Sequence, residues 1–170
     1  MFKVGELVMY GGRGVCKICE IGKPDFAKED DTLFYFLEPL YNSGIFYAPV
    51  DNDKISIRKV ISKKEAKKLL DEADSLKCES FTTHSIQQLS QHYQSIIDKH
   101  TCKDLLILTK SIMEKENDAK KHNKKLGQID KRFMKKAEDL LYGEFAAALG
   151  IDIEEVENKV KTRLREQLKT

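Results

Sequence analysis

The chain has 170 residues, of which 41% are hydrophobic and 34% charged, with a formal net charge of +2. That length holds one ordinary domain or two small ones. No stretch approaches the roughly 18 apolar residues of a membrane span, and MFKVGELVMY lacks the basic and apolar regions of a signal peptide. A cytoplasmic protein with no membrane partner is the expectation, and Cys16, Cys19, Cys78 and Cys102 are expected as free thiols. Residues 1–60 carry eight Lys/Arg against nine Asp/Glu, whereas residues 61–170 carry 22 against 19.

In chain order, strands are expected at residues 7–10, 15–21, 33–37, 45–50 and 54–58, all rich in β-branched and aromatic side chains. Turn signals separate them: Gly11-Gly12-Arg13-Gly14, Gly22-Lys23-Pro24-Asp25, Asn42-Ser43-Gly44 and Asp51-Asn52-Asp53. Five strands within 60 residues, with no helix to cross over, imply an antiparallel meander and a small SH3-like or Tudor-like barrel. Residues 22–32 read as a polar, acidic and mobile loop. Residues 33–37 and 45–48 are apolar on both strand faces. Their outward side chains either pack on the first helix or leave an apolar strand edge that could accept a partner strand.

From residue 61 the period becomes helical. Ser62-Lys63-Lys64-Glu65 is a capping box, stapled by Ile61 and Ala66, and opens a helix that runs to about residue 74. A polar connection at 75–82 precedes a second helix at 85–99, with Ile86, Leu89, Tyr93, Ile96 and Ile97 on one stripe. Thr101 can cap a third, in which Leu105, Leu108 and Ile112 share a face flanked by Leu106 and Met113. A fourth covers about 129–149, with Gly150 as its C′ residue. A fifth begins at Asp152, stapled by Ile151 and Val156. The fold class is therefore α+β: an antiparallel barrel over residues 1–60, then an all-α domain of about five helices over 61–170.

The strongest chemical signal is a basic run over residues 119–136. Lys120, Lys121, Lys124, Lys125, Lys131, Arg132, Lys135 and Lys136 stand there against one acid, Asp130. On the fourth helix Lys131, Arg132, Lys135 and Lys136 fill one arc, while Ile129, Phe133, Ala137, Leu140 and Leu141 fill the other. A single-sign patch repels itself unless something anionic uses it. Nucleic acid, a merely solvated face, an acidic protein and a membrane surface are the four readings. On nucleic acid the pattern would neutralise phosphates without reading bases.

Cys16-Lys17-Ile18-Cys19 has the spacing of half a zinc site, which Cys78, His84, His92, His100 and Cys102 could complete. Positions i and i+3 of a strand point to opposite faces, so small buried or edge side chains are expected instead. No metal or other cofactor is expected. Gly11–Gly14 is followed by a strand, where a phosphate cradle needs a helix N-terminus. With no Walker loop, G-x-S-x-G or H-E-x-x-H pattern either, no enzyme activity is expected.

Phe2-Lys3-Val4-Gly5-Glu6-Leu7-Val8-Met9-Tyr10, Gly14-Val15, Tyr47-Ala48-Pro49-Val50 and Ile57-Arg58 resemble the RNA polymerase-interaction domain of CarD/CdnL transcription regulators. The transcription-repair coupling factor carries a similar domain. Lys131-Arg132-Phe133-Met134-Lys135-Lys136-Ala137-Glu138-Asp139-Leu140-Leu141-Tyr142-Gly143-Glu144-Phe145 resembles the penultimate helix of CarD proteins. The resemblance implies a Tudor-like barrel at 1–60 that binds the RNA polymerase β subunit, through Tyr35, Phe46, Tyr47 and Pro49. It also implies a helical domain at 61–170 that contacts promoter DNA at the upstream edge of the transcription bubble and stabilises the open complex. The DNA contacts would be Lys131, Arg132, Lys135 and Lys136, not sequence-specific, in a protein monomeric without polymerase.

The family's minor-groove tryptophan has no counterpart, since the chain contains no Trp. Aligning Trp-Ser-x-x-Tyr on Leu89-Ser90-Gln91-His92-Tyr93 puts Leu89 at that place, either as a leucine wedge or as helix core. Tyr47 stands where basic relatives carry arginine. A protein–protein adaptor without DNA contact is the alternative reading.

Overall fold

A computed structural model of the chain describes residues 1–78, 81–98 and 101–168. Packing divides it into two compact units, Met1–Val60 and Ile61–Thr170.

The described residues of the first unit form β1 (Leu7–Tyr10), β2 (Val15–Gly22), β3 (Phe34–Pro39), β4 (Phe46–Pro49) and β5 (Ile57–Lys59). They make one antiparallel sheet in the order β4-β3-β2-β1-β5. A four-strand meander with the last strand returned beside the first matches the expected Tudor-like barrel. Period-2 alternation sends Val8, Tyr10, Cys16, Ile18, Tyr35, Leu37 and Ala48 into the core. The β1–β2 turn needs glycine at Gly11, whose φ is +48° and where a Cβ would lie 2.9 Å from Ile55 Cγ2.

Two local expectations change. The fifth strand begins at Ile57, not at 54, because Asn52 Oδ1 accepts the Lys54 N–H at 2.8 Å and holds that stretch in a turn. The loop expected to be mobile contains a 3-10 turn, Asp25–Ala27, and a 2.9 Å ion pair between Lys23 and Asp31. That lysine holds the Asp31 carboxyl below its ordinary pKa, first by hydrogen bonding and then by charge.

The described residues of the second unit form α1 (Lys63–Glu72), α2 (Ile86–Asp98), α3 (Cys102–Lys121), α4 (Gln128–Leu149) and α5 (Ile153–Leu168). Their termini follow local chemistry. Ser62 Oγ accepts from Glu65 N–H at 3.1 Å, and the Glu65 carboxylate accepts from Ser62 N–H at 2.9 Å. Thr101 and Asp104 make the same reciprocal pair ahead of α3. Gly150 ends α4 in the left-handed region at φ +69°. Helix α4 is central and packs on the other four. The stripe expected on α2 is narrower than read: Tyr93 and Ile97 are buried but Ile86 is 68% exposed. Lys99, expected as its last residue, lies outside the described residues.

Helix α3 is buried on more than its expected face, and Lys110 goes in with it at 3% exposure. Its ammonium donates to the carbonyl oxygens of Ala73 (3.2 Å), Asp74 (2.9 Å) and Leu76 (2.6 Å), where α1 ends in a 3-10 turn. The three N–H groups thus meet carbonyls that a helix C-terminus leaves without partners. Lys110→Met keeps the stem and removes the donors, and is expected to cost about 2 kcal/mol of stability. Urea denaturation checks this; an unchanged midpoint would mean that water serves those carbonyls equally well.

Candidate functional sites

Pairing of β3 with β4 decides which aromatic side chains reach solvent. Tyr35 sits opposite Ala48 and Leu37 opposite Phe46, while Phe34 sits opposite Pro49 and Phe36 opposite Tyr47. Strand alternation puts the first two pairs toward the core and the last two on the outer face. Tyr35 is 2% exposed, and its hydroxyl accepts the Phe2 N–H at 3.0 Å. Of the residues expected to contact polymerase, Tyr35 thus has its side chain in the barrel core and not on the surface. Phe46 is half-buried against that core, 6.0 Å from the Tyr10 ring and covered by the Arg13 guanidinium at 4.5 Å.

Tyr47 is 41% exposed and belongs to an outer cluster that the sequence reading did not assemble. Its ring packs edge-on to Phe36 (4.9 Å) and Phe26 (5.2 Å), and Phe26 packs edge-on to Phe34 (5.7 Å). Phe26 comes from the 3-10 turn of the acidic loop and is 68% exposed. Edge-to-face aromatic contacts hold such rings in fixed orientations. The half-buried Pro49 closes this face, on a strand that ends the sheet order of the described residues. An aromatic cluster beside a terminal strand is suited to a protein partner. The turn Gly22–Asp25 signalled a loop, and only packing shows Phe26 folded back on the sheet.

On the second unit Lys131, Arg132, Lys135 and Lys136 are all exposed along α4 and line one shallow depression with Gln128 and Asp139. Arg132 and Lys136 lie 4.9 and 5.9 Å from the Phe133 ring centroid, and Lys136 donates to Gln94 Oε1 on α2 at 3.3 Å. Lys135 pairs loosely with Asp139 at 3.4 Å.

Asp130, the single acid of the basic run, does not temper this face. Its Oδ1 accepts from the Tyr93 hydroxyl at 2.5 Å and from Lys115 Nζ at 3.1 Å, tying α2, α3 and α4 together. Burial, and then the Asp130 bond, raise the Tyr93 hydroxyl well above its ordinary pKa. Asp139 is then the one acid left beside the four exposed cations in that depression.

Leu89 is half-buried one turn before Tyr93, and Ile86 stands more exposed beside it at i−3. His92 stacks on Phe81 with centroids 3.9 Å apart. Burial, and then the neighbouring Lys115, lower its pKa, which favours the neutral ring.

Cys16, Cys19, Cys78 and Cys102 are all thiols, none in a disulfide. Cys16 is buried and Cys19 exposed, on a strand whose register slips between Ile18 and Glu20. Burial pushes the Cys16 thiol up to about 11. Cys78 is likewise raised to about 11, by burial and the Glu114 carboxylate 3.1 Å away. His100 lies outside the described residues.

No helix among the described residues is long and apolar enough to cross a membrane. No curated protein matches the chain. Residues 2–61 match the family model of the CarD-like/TRCF RID domain, a match that ends where the second unit begins. That domain is a protein-interaction module that binds the RNA polymerase β subunit. The first unit is therefore a CarD-like/TRCF RID domain, the interaction module of an RNA polymerase-interacting, transcription-related protein.

Proposed function

We propose that this protein is a bacterial transcription regulator that docks on polymerase through its barrel and stabilises the open promoter complex through its helical domain. The observation that carries the DNA contact is the basic arc of α4, four exposed cations beside one exposed acid, Asp139, with Asp130 turned inward. Lys131, Arg132, Lys135 and Lys136 neutralise phosphates near the upstream edge of the bubble, without reading bases. Leu89 and the exposed Ile86 offer apolar side chains on α2, which Gln94 joins to this face. Docking of the barrel raises the local concentration of the weak DNA contact to about millimolar. Regulation then follows from differential affinity: about 1.4 kcal/mol of preference for melted DNA shifts the equilibrium tenfold.

The barrel contact is tested with the full chain and the purified polymerase β-subunit lobe. Phe26→Ala with Tyr47→Ala is expected to weaken binding about tenfold, or roughly 1.4 kcal/mol, by removing exposed anchors from the outer cluster. An unchanged affinity would move the docking site off this face. Equal polymerase binding with and without promoter DNA would instead support an adaptor.

A further inference from the structure

We infer that the groove between α1 and α5 docks an acidic amphipathic helix of a partner protein. The groove is open to solvent, with a volume of about 1010 Å³. Lys63 and Lys67 stand one turn apart on α1, and Lys159 and Arg163 one turn apart on α5. Arg163 is engaged by Asp71 at 3.4 Å. Lys63, Lys67 and Lys159 are exposed, and no acidic side chain of the described residues lies within ion-pair distance of them.

Two observations select a protein helix over a nucleic-acid backbone. First, Leu70, Leu149 and Ile151 also line the groove, an apolar component that phosphates would leave unused. Second, Asp71 and Glu155 lie on the same walls and would oppose an unbroken row of phosphates. An amphipathic helix satisfies both conditions. Its apolar side chains cover the leucines and the isoleucine, and its carboxylates meet the three unpaired lysines while avoiding the two acids. Because a helix satisfies its own backbone, the groove needs no strand edge to receive it. The basic arc used for DNA is on the exposed side chains at 131–136 of α4, none of which lines this groove.

The test measures fluorescence anisotropy of two labelled peptides with the full-length chain. One is a helix of about four turns, comparable with α5, with leucines at i, i+3, i+4 and i+7 and glutamates on both flanks. Its twin has glutamine for every glutamate. The acidic peptide is expected to bind, more weakly as salt rises, and the twin at least about tenfold less tightly. Lys63→Glu, Lys67→Glu and Lys159→Glu together are expected to remove at least about tenfold of that affinity. The triple variant Lys131→Ala, Arg132→Ala, Lys136→Ala is expected to bind the peptide as the native chain does. Absence of binding, indifference to the groove substitutions, or equal binding of the glutamine twin would overturn the inference. So would loss of duplex-DNA affinity in the groove variant with peptide binding retained, which would make the groove a nucleic-acid surface.

Discussion

The triple substitution Lys131→Ala, Arg132→Ala, Lys136→Ala is expected to flatten the salt dependence of duplex-DNA binding. Each lysine or arginine that neutralises a phosphate contributes about 0.9 to the slope of log affinity against log salt, so three contribute up to about 2.7. All three side chains are exposed, and the fold beneath them rests on Phe133, Ala137 and Leu141. Thermal stability should therefore hold while affinity falls. Lys135 is left in place because Asp139 already engages it at 3.4 Å. The loss should be the same for unrelated duplex sequences, since no base edge is being read. An unchanged slope would sink the assignment of this face to DNA.

Asp130→Ala should have the largest effect on stability. Its carboxylate is the shared acceptor for Tyr93 and Lys115, and the Asp130 and Lys115 side chains are only 12% and 17% exposed. Removing it leaves a largely buried ammonium without its counter-ion, a change that costs about 3 kcal/mol. For a unit of roughly 100 residues this lowers the melting midpoint by some 12–24 °C. Asp130→Ala combined with Lys115→Met should recover part of the loss, because the stranded charge is gone. A thermal melt of both variants separates the outcomes; an Asp130→Ala midpoint within a few degrees of the native one would show that water replaces the carboxylate.

These two predictions draw on different levels of information. The basic arc was legible as a helical-period pattern, and the structure leaves its four side chains exposed. The inward turn of Asp130 was not legible, because a lone acid in a basic stretch reads as surface tempering. Its partner Tyr93 lies 37 positions away in the chain. Lys110 presents the same problem, since its carbonyl acceptor at Ala73 is also 37 positions away. Lysine in a helical pattern is ordinarily solvated.

The barrel shows the limit of periodic reading most clearly. Residues 33–37 are all apolar, so no alternation tells one face from the other. Pairing with β4 and the core around Ala48 put Tyr35 inside and Phe36 outside. Of the expected contact residues, Tyr35 thus has its side chain inside the barrel and Tyr47 on its outer face, beside Phe26. A hydrophobic residue in a polar loop carries no local signal of where it will land.

What the amino-acid sequence determined by itself is whatever depends on neighbours within a turn or a strand period. The capping boxes at Ser62 and Thr101, the Gly150 stop and the barrel-to-helix change near residue 61 are of that kind. So is the CarD-like motif set, with residues 2–61 matching the RID domain. Tertiary structure alone decided which aromatic residues face solvent, where Asp130 and Lys110 find partners, and that α1 and α5 bring exposed lysines beside an apolar strip. Those outcomes depend on contacts between distant segments. A carboxylate or an ammonium goes inward only where another element supplies its hydrogen bonds.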